Sequence, residues 1–503
     1  MADAVEFALP DPEYERVAWV HNEHFVGSVT PLEQSLQATR ARMNDDGLPG
    51  SVTINGYGFG REVNIRPATE PSDESIVLGW RERRLPPVDA SCAELEAFDP
   101  ASVAPGQWRE VLAGLDQRFW EAFGGVHRDT MGHVFPASAL WVDLYSKRFG
   151  EERRADALAM LGGFPNASSE RASALWSLGR IVVSAPAILA TVEAGEVVAG
   201  DSAAARAFRA EWDTLMELYG FTTTTHLVDL PTWREDPAIP LGMVAAMAHE
   251  TDDRAPRLAE QRAARRRAVL EAELSALGND DDIVLLRRVL AVAKHLAPAS
   301  EDHNLLCDQR MIAASRIRWL RTGAYLVSRG LLAEPGDIFY LTLDEVIAVL
   351  EDSTRTPDER VAERRDRQVR WRAVSPPARL GAQSAVIAAP TGTVQVVRGT
   401  AASAGVYRGR ARIVVGLPEA YRLEPGDVLV CPATSPEWTP YFGVVGALVT
   451  GTGSLLAHAA VVAREFGIPA VVGATGATLL IPDGAMVTVD GSSGTVTIET
   501  AEV

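Results

Sequence analysis

The fold of the C-terminal part of the chain is decided by one stretch, Thr450-Gly-Thr-Gly-Ser-Leu-Leu-Ala-His458-Ala-Ala-Val-Val-Ala-Arg464-Glu465-Phe-Gly467-Ile-Pro469-Ala-Val-Val-Gly473. It follows the apolar run 444–449, crosses a glycine-rich turn, and ends through a Gly-Ile-Pro turn in a second apolar run, 470–472. Apolar runs bounded by glycine predict buried strands, and the alanine-rich segment between them predicts a helix. The stretch therefore predicts a strand, a helix and a second strand, with His458 on the helix.

The position of His458 favours a bound anion. Ser454 is predicted to cap the helix, which places His458 in its first turns. Unpaired backbone N–H groups and the positive end of the helix dipole lie there, so a phosphate carried on the imidazole would be stabilised. A histidine that only packs against an apolar helix is the alternative.

The sequence over residues 458–473 resembles the phosphohistidine signature of the phosphoenolpyruvate-utilising enzymes. The swivelling domain of that family is found in phosphoenolpyruvate synthase, pyruvate phosphate dikinase and rifampin phosphotransferase. The resemblance implies that residues 395–503 form an α/β swivelling domain and that His458 carries a phosphoryl group from ATP or phosphoenolpyruvate between two distant sites.

Earlier stretches resemble the substrate-binding domain of rifampin phosphotransferase and its relatives, and two of them contain His24 and His226. The resemblance implies a mainly helical substrate-binding domain over residues 1–374, in which both histidines are candidate substrate contacts. Residues 375–394 contain little periodicity and predict a mobile linker. The expected fold class is thus a multidomain α+β protein, with a small β part near residues 50–80.

Polar residues recur at spacings of three to four in a predicted helix, within Glu301-Asp302-His303-Asn304-Leu-Leu-Cys-Asp308-Gln309-Arg310. The start of this stretch is similar to a Glu-Asp-His-Asn sequence in some of the same relatives. Glu301 or His303 is the candidate general base. The candidate substrate contacts are Asp302, Asn304, Asp308 and Arg310. A structural hydrogen-bond cluster between helices is the alternative.

Charge, residue spacing and the length of apolar runs argue against several kinds of partner and site. The chain has 503 residues, a net charge of −19 and three widely separated cysteines, which disfavours nucleic acid as a partner and gives no metal-type cysteine spacing. His21 and His24 lack a third ligand nearby, so no metal site is predicted. No apolar run has the ~20 residues of a membrane span and no secretory signal is visible, so the expected location is the cytoplasm.

Three functions remain open. The first is a phosphotransferase component in which His458 is loaded by a separate ATP-grasp-type subunit that binds ATP and Mg²⁺, since no motif here is recognisable as an ATP site. Its acceptor would be a small alcohol, phenol or hydroxy acid. The second is a dehydratase that phosphorylates a hydroxyl and then eliminates phosphate. The third is a non-catalytic binding or regulatory homologue, favoured by Ala457 where the family usually has a small hydroxyl or thiol residue.

Overall fold

The protein is an α+β multidomain protein, as the sequence predicts. The computed structural model describes residues 6–21, 28–40, 48–49, 51–61, 79–223, 225–249, 255–352, 358–372, 374, 376–377, 379–382, 396–455 and 457–499. No helix within these ranges is long and apolar enough to span a membrane.

Most of the chain before residue 373 is helical. The helices are α1 (Pro31–Arg40), α2 (Trp80–Ala97), α3 (Trp108–Val126), α4 (Gly132–Phe149), α5 (Arg154–Ala159), α6 (Ala167–Val183), α7 (Pro186–Glu193), α8 (Ala203–Tyr219), α9 (Ala238–Ala248), α10 (Pro256–Ala276), α11 (Asp281–His303), α12 (Arg310–Ser328), α13 (Leu343–Glu351) and α14 (Asp358–Arg372). Short π-helical segments, His127–Met131 and Asn304–Gln309, join α3 to α4 and α11 to α12.

Local sequence explains where the helices near the site begin. The Asp280 side chain accepts a hydrogen bond from the Ile283 N–H at 2.9 Å and caps α11. Asn166 and Ser169 form a reciprocal capping box at the start of α6. These caps fix two of the helices that face the C-terminal domain.

A small antiparallel sheet packs beside the helices, in the order β2-β3-β1-β4. Its strands are β1 (Ala18–His21), β2 (Ser51–Ile54), β3 (Tyr57–Arg61) and β4 (Arg379–Gly381). β4 belongs to the segment predicted as a linker, and it pairs with Ala18–Val20. Most of the remaining predicted linker, residues 383–394, lies outside the described residues.

The C-terminal domain is built on an eight-stranded sheet in the order β5-β12-β11-β7-β8-β9-β10-β6. The strands are β5 (Val396–Arg398), β6 (Thr400–Ser403), β7 (Val406–Ile413), β8 (Val428–Cys431), β9 (Ala447–Thr450), β10 (Ala470–Val472), β11 (Met486–Asp490) and β12 (Thr495–Ile498), with helices α15 (His458–Phe466) and α16 (Ala477–Leu480). β7 to β10 are parallel neighbours. The strand, helix and strand predicted from residues 444–473 are confirmed as β9, α15 and β10.

The helical part and the C-terminal domain share a hydrophobic cluster. Trp176 and Leu241 of the helical part belong to the same buried cluster as Phe442 and Ala459 of the C-terminal domain. Apolar residues on both sides are removed from water only while the two parts are in contact. The structure therefore describes the docked arrangement of the two parts.

His21, in β1, gives the small sheet a pH-dependent stability. Burial lowers the pKa of His21 to about 4, whereas the unfolded histidine titrates near 6.5. Below pH 6.5 the unfolded chain takes up a proton that the folded chain does not, so the free energy of unfolding falls as the pH falls from 6.5 to 4. We expect this loss to be about 3 kcal/mol larger in the wild type than in His21→Phe, which keeps the ring contacts with Tyr57 and Phe59.

Urea unfolding at pH 7 and pH 4 measures the difference. An identical loss of stability in the two proteins would contradict the prediction, because it would show that the pKa of His21 is the same in the folded and unfolded chains.

Candidate functional site

His458 is the first residue of α15. The predicted cap, Ser454, is wrong, because the N-cap is Ala457, which has extended backbone geometry and makes no side-chain capping bond. The helix ends at Phe466, and the next residue, Gly467, adopts the left-handed conformation that glycine tolerates best. The prediction that His458 lies in the first turn is confirmed, so the residue stands where the first N–H groups of a helix have no intrahelical partner.

The imidazole of His458 faces the helical part of the protein. Its Nδ1 lies 2.9 Å from Glu301 Oε2, at the end of α11. Its Nε2 lies 3.5 Å from the hydroxyl oxygen of Thr439. The Phe442 ring packs against the imidazole edge to face, with 5.9 Å between the two ring centroids. Because Nδ1 is occupied by the carboxylate, Nε2 is the nitrogen left for chemistry.

Glu301 is ionised although it is almost completely buried. Burial raises the pKa of this carboxyl, but the charge of His458 and the hydrogen bond to it outweigh burial and lower the pKa below its ordinary value. The side chains of Glu301 and His458 are only 5% and 10% exposed. Removal of the His458 side chain would therefore be strongly destabilising, because Glu301 would be left as an uncompensated buried charge.

A second polar contact joins the two parts. Gln309, in the π-helical segment, donates through Nε2 to Glu437 Oε1 of the C-terminal domain. The side-chain oxygen of Gln309, Oε1, accepts hydrogen bonds from the Thr223 N–H at 2.7 Å and from the Thr223 hydroxyl at 2.9 Å. The side-chain amide of Gln309 therefore links Thr223 to the C-terminal domain.

Arg171, on α6, supplies positive charge to the interface. It is fully buried, and its guanidinium carbon lies 5.3 Å from the Trp233 ring centroid. Burial lowers the pKa of Arg171, and the carboxylates Glu437 and Glu301 act against that shift. Arg171 thus balances the two buried carboxylates.

Replacing Arg171 with methionine is expected to lower the free energy of unfolding by about 3–5 kcal/mol, because two buried carboxylates lose their cation. Arg206→Met, at an exposed position on α8, is the control and is expected to change stability by less than about 1 kcal/mol. Chemical denaturation measures both. Equal stabilities for the two variants would contradict this electrostatic role.

The helix predicted to contain the polar residues 301–310 is interrupted. α11 ends at His303, and residues Asn304–Gln309 are π-helical. The prediction of a regular helix through Asp308 is therefore wrong, because the π segment changes the spacing at which side chains recur. Single π-helical turns inside helices occur frequently at functional sites.

The π segments gather a set of polar residues that we call the junction cluster: His127, His226, His303, Asn304 and Asp308. Asn304 Nδ2 lies 3.0 Å from His226 Nε2, so the predicted residue His226 joins this set. Asp308 Oδ2 lies 3.6 Å from His127 Nε2 and 4.0 Å from His303 Nε2. Glu301 is two residues away from His303 and interacts electrostatically with it.

Other predicted residues have different surroundings. Asp302 accepts a hydrogen bond from the Ala167 N–H at 2.7 Å, which holds the start of α6, and its other carboxylate oxygen pairs with Arg81 of α2. Arg310 pairs with Asp89 of α2. His24 lies outside the described residues.

A cavity of about 710 Å³ lies between the two parts. Its lining is mainly apolar and includes Phe135 and Ile468, with Arg262 and Arg464 among the charged residues. His458 and Glu301 do not line it, but Phe442 contributes to both the cavity wall and the ring contact with His458. The Phe442 side chain therefore lies between the cavity and the buried pair of His458 and Glu301.

Four residues of this site were not identified from the sequence: His127, Arg171, Gln309 and Glu437. His127 stands in His-Arg-Asp and Glu437 in Ser-Pro-Glu-Trp-Thr-Pro, which are polar insertions among apolar residues and thus a weak local signal. Their grouping depends on contacts between residues more than 100 positions apart, such as Gln309 with Glu437.

Comparison with known proteins confirms the resemblance seen in the sequence. Residues 423–494 match the mobile domain of the PEP-utilising enzymes, and residues 128–301 match the rifampicin phosphotransferase fourth domain. No ATP-grasp family matches the chain.

Three relatives cover most of the chain. It is 31% identical over 84% of its length to a rifampicin phosphotransferase of Streptomyces sp, covering 50% of that protein. It is 30% identical over 73% to the uncharacterized phosphotransferase YvkC of Bacillus subtilis, covering 46%. It is 31% identical over 97% to chondramide synthase cmdD of Chondromyces crocatus, covering 14%. The chain spans half or less of the length of these relatives.

Proposed function

We propose that this chain, which carries the mobile domain of the PEP-utilising enzymes and the fourth domain of rifampicin phosphotransferase, is the carrier and acceptor-binding part of a phosphotransferase. His458 would accept a phosphoryl group derived from ATP and deliver it to a hydroxyl of a small organic molecule. The observation that carries this proposal is the 2.9 Å contact between His458 Nδ1 and Glu301 Oε2. It joins the carrier histidine to the polar residues of the helical part.

The contact assigns separate tasks to the two imidazole nitrogens. Glu301 accepts a hydrogen bond from Nδ1–H, which fixes the tautomer and the orientation of the ring, as a carboxylate does for a catalytic histidine. Nε2 then holds the phosphoryl group. Glu301 acts through His458, so we assign it as a positioning residue rather than as the base for the substrate.

Transfer requires the C-terminal domain to occupy two positions. Residues 1–374 would bind the acceptor and residues 395–503 would move as the carrier, joined by the part of the predicted linker, 375–394, that follows β4. The described arrangement supports the acceptor-side position, because His458 is docked on Glu301. The donor side would be an ATP-grasp unit outside these 503 residues, with ATP and Mg²⁺ bound there.

The acceptor would place its hydroxyl at the junction cluster and its apolar body in the cavity beside Phe442. His226 and Asn304 offer hydrogen-bonding groups at the junction cluster. The cavity volume of about 710 Å³ falls within the range of pockets that enclose drug-sized ligands. The favoured acceptor is thus a medium-sized alcohol or phenol with an apolar body.

The test loads the histidine without any partner. The purified chain is incubated with potassium phosphoramidate and mapped by mass spectrometry under alkaline conditions that preserve phosphohistidine. We expect one acid-labile phosphate, on His458. The exposed His295 of α11 is the internal control. Phosphate on His295 but not on His458 would overturn the proposal.

Transfer is then measured by adding candidate alcohols and phenols to the loaded protein. A phosphate ester as the product indicates simple transfer, whereas free phosphate together with an alkene indicates dehydration. Release of phosphate at the same rate with and without every acceptor would contradict the acceptor-binding role.

A further inference from the structure

Three side chains of the junction cluster direct ligand atoms toward one point. One ligand atom from each of His127, His303 and Asp308 lies within 4.8 Å of the others. The two imidazole Nε2 atoms are 3.6 and 4.0 Å from Asp308 Oδ2. Zinc–nitrogen and zinc–oxygen bonds of ~2.0–2.2 Å at tetrahedral angles separate ligand atoms by roughly 3.4 Å. Small side-chain movements therefore bring the three atoms to ligand spacing.

Both imidazoles are oriented as metal ligands. Nδ1 of His127 lies 2.9 Å from the Phe123 carbonyl oxygen, and Nδ1 of His303 lies 2.9 Å from the Ala299 carbonyl oxygen. A backbone carbonyl can only accept, so each Nδ1 carries the proton and donates it. In its neutral form each ring then presents the lone pair of Nε2 toward Asp308, and carbonyl partners of this kind are typical of histidines that bind metals.

Hydrogen bonding within the protein does not satisfy this arrangement. A protonated His127 could pair with Asp308, but the lone pair of His303 would still face a carboxylate. Among the described residues, Asp308 Oδ1 is buried without a hydrogen-bond partner, and so is Asn304 Oδ1. Asp308 is 7% exposed, so an unpartnered oxygen there is costly. A cation would satisfy both lone pairs and the carboxylate.

The π-helical segment is what brings His303 and Asp308 together. Residues five positions apart on an α-helix point roughly 140° away from each other. The i to i+5 hydrogen bonding of a π-helix returns residues five apart to nearly the same side. Without the segment Asn304–Gln309, the two side chains would not meet.

We propose that His127, His303 and Asp308 bind one divalent transition-metal ion, such as Zn²⁺ or Mn²⁺. Two imidazoles and one carboxylate suit these ions, whereas Ca²⁺ and Mg²⁺ prefer oxygen ligands. Three protein ligands leave at least one coordination position open, as in catalytic sites. The His127 side chain is 34% exposed, which provides an entry path.

The task of the ion rests on the proposed function. The open position would take the hydroxyl oxygen of the acceptor and lower its pKa, so that the proton passes to solvent water. The oxygen then forms a bond to phosphorus, while the N–P bond of phospho-His458 breaks and its electron pair returns to Nε2. The ion would thus activate the acceptor, while Glu301 holds the histidine.

Metal binding is tested on the full chain after treatment with EDTA and removal of the chelator. Zn²⁺, Mn²⁺, Co²⁺ and Mg²⁺ are titrated separately by calorimetry, and bound metal is counted by mass spectrometry. We expect one equivalent of Zn²⁺ or Mn²⁺ per chain. His127→Ala and Asp308→Asn should each weaken binding at least about tenfold, whereas His295→Ala should bind like the wild type.

Binding of none of these ions, or binding that the two ligand variants leave unchanged, would overturn the inference. Circular dichroism shows whether each variant is folded. The visible absorption of the Co²⁺-loaded wild type reports imidazole ligands and low coordination number without any variant, and an octahedral, all-oxygen spectrum would also refute the site.

The result is independent of phosphoryl transfer, because the protein is never exposed to a phosphoryl donor. Metal binding without phosphorylation of His458 would support the site and remove the proposed function. Phosphorylation of metal-free His458 together with no metal binding would do the reverse.

Discussion

His458→Ala is expected to abolish acid-labile phosphate and to lower transfer to an acceptor by at least about 10³-fold, because the nucleophile that holds the phosphoryl group is missing. Mass spectrometry of the phosphoramidate-treated protein measures the first effect, and product formation measures the second. His295→Ala changes an exposed histidine on α11 and is expected to leave both unchanged. An equal phosphate content in His458→Ala and the wild type would contradict the carrier role.

The substitution His458→Ala is also expected to lower the stability of the protein. Removal of His458 leaves Glu301 buried without its partner, which costs about 3–5 kcal/mol. The double variant His458→Ala/Glu301→Gln also removes the buried charge of Glu301, so we expect it to regain most of the lost stability. Absence of phosphate in the folded double variant then reports the missing nucleophile and not a damaged fold.

Glu301→Gln is expected to lower transfer from His458 by about 10²–10⁴-fold, because the neutral amide no longer stabilises positive charge on the imidazole or fixes its tautomer. The amide has nearly the same shape as the carboxylate, so the fold should be retained. We expect the turnover number to fall while KM for the acceptor changes little, since Glu301 contacts His458 and not the substrate.

Glu363→Gln is the matched control, because Glu363 is 71% exposed on α14. It should transfer phosphate at the wild-type rate. A Glu301→Gln protein that keeps the wild-type turnover number, or that changes KM alone, would contradict the positioning role.

The elements of the C-terminal domain were predictable because their signals are local. Apolar runs bounded by glycine identified β9 and β10, and the alanine-rich segment between them identified α15. The capping residue was misidentified because Ser454 has the preferred chemistry, whereas the backbone enters the helix three residues later at Ala457. Cap preference depends on side-chain type, but the start of the helix depends on how residues 450–457 pack.

The site was predictable in composition but not in geometry. The polar residues at 301–310 stand out against apolar neighbours, and Glu301 does meet His458. The π segments could not be predicted, because a search for a period of 3.6 residues has no template for them. His127 was also missed, since it lies 176 positions before His303 and only tertiary packing brings their rings to 5.6 Å.

The hydrophobic cluster that contains both Trp176 and Phe442 gives the docked state a thermal signature. If the carrier leaves, this apolar surface becomes hydrated, and hydration of apolar surface raises the heat capacity. The undocked population should then vary with temperature along a curve rather than a straight van't Hoff line. Apolar contacts weaken on cooling and strengthen in sulfate. Low temperature would therefore favour the undocked state, and sulfate would favour the docked state. At high sulfate concentration we expect undocking to become the slow step of transfer.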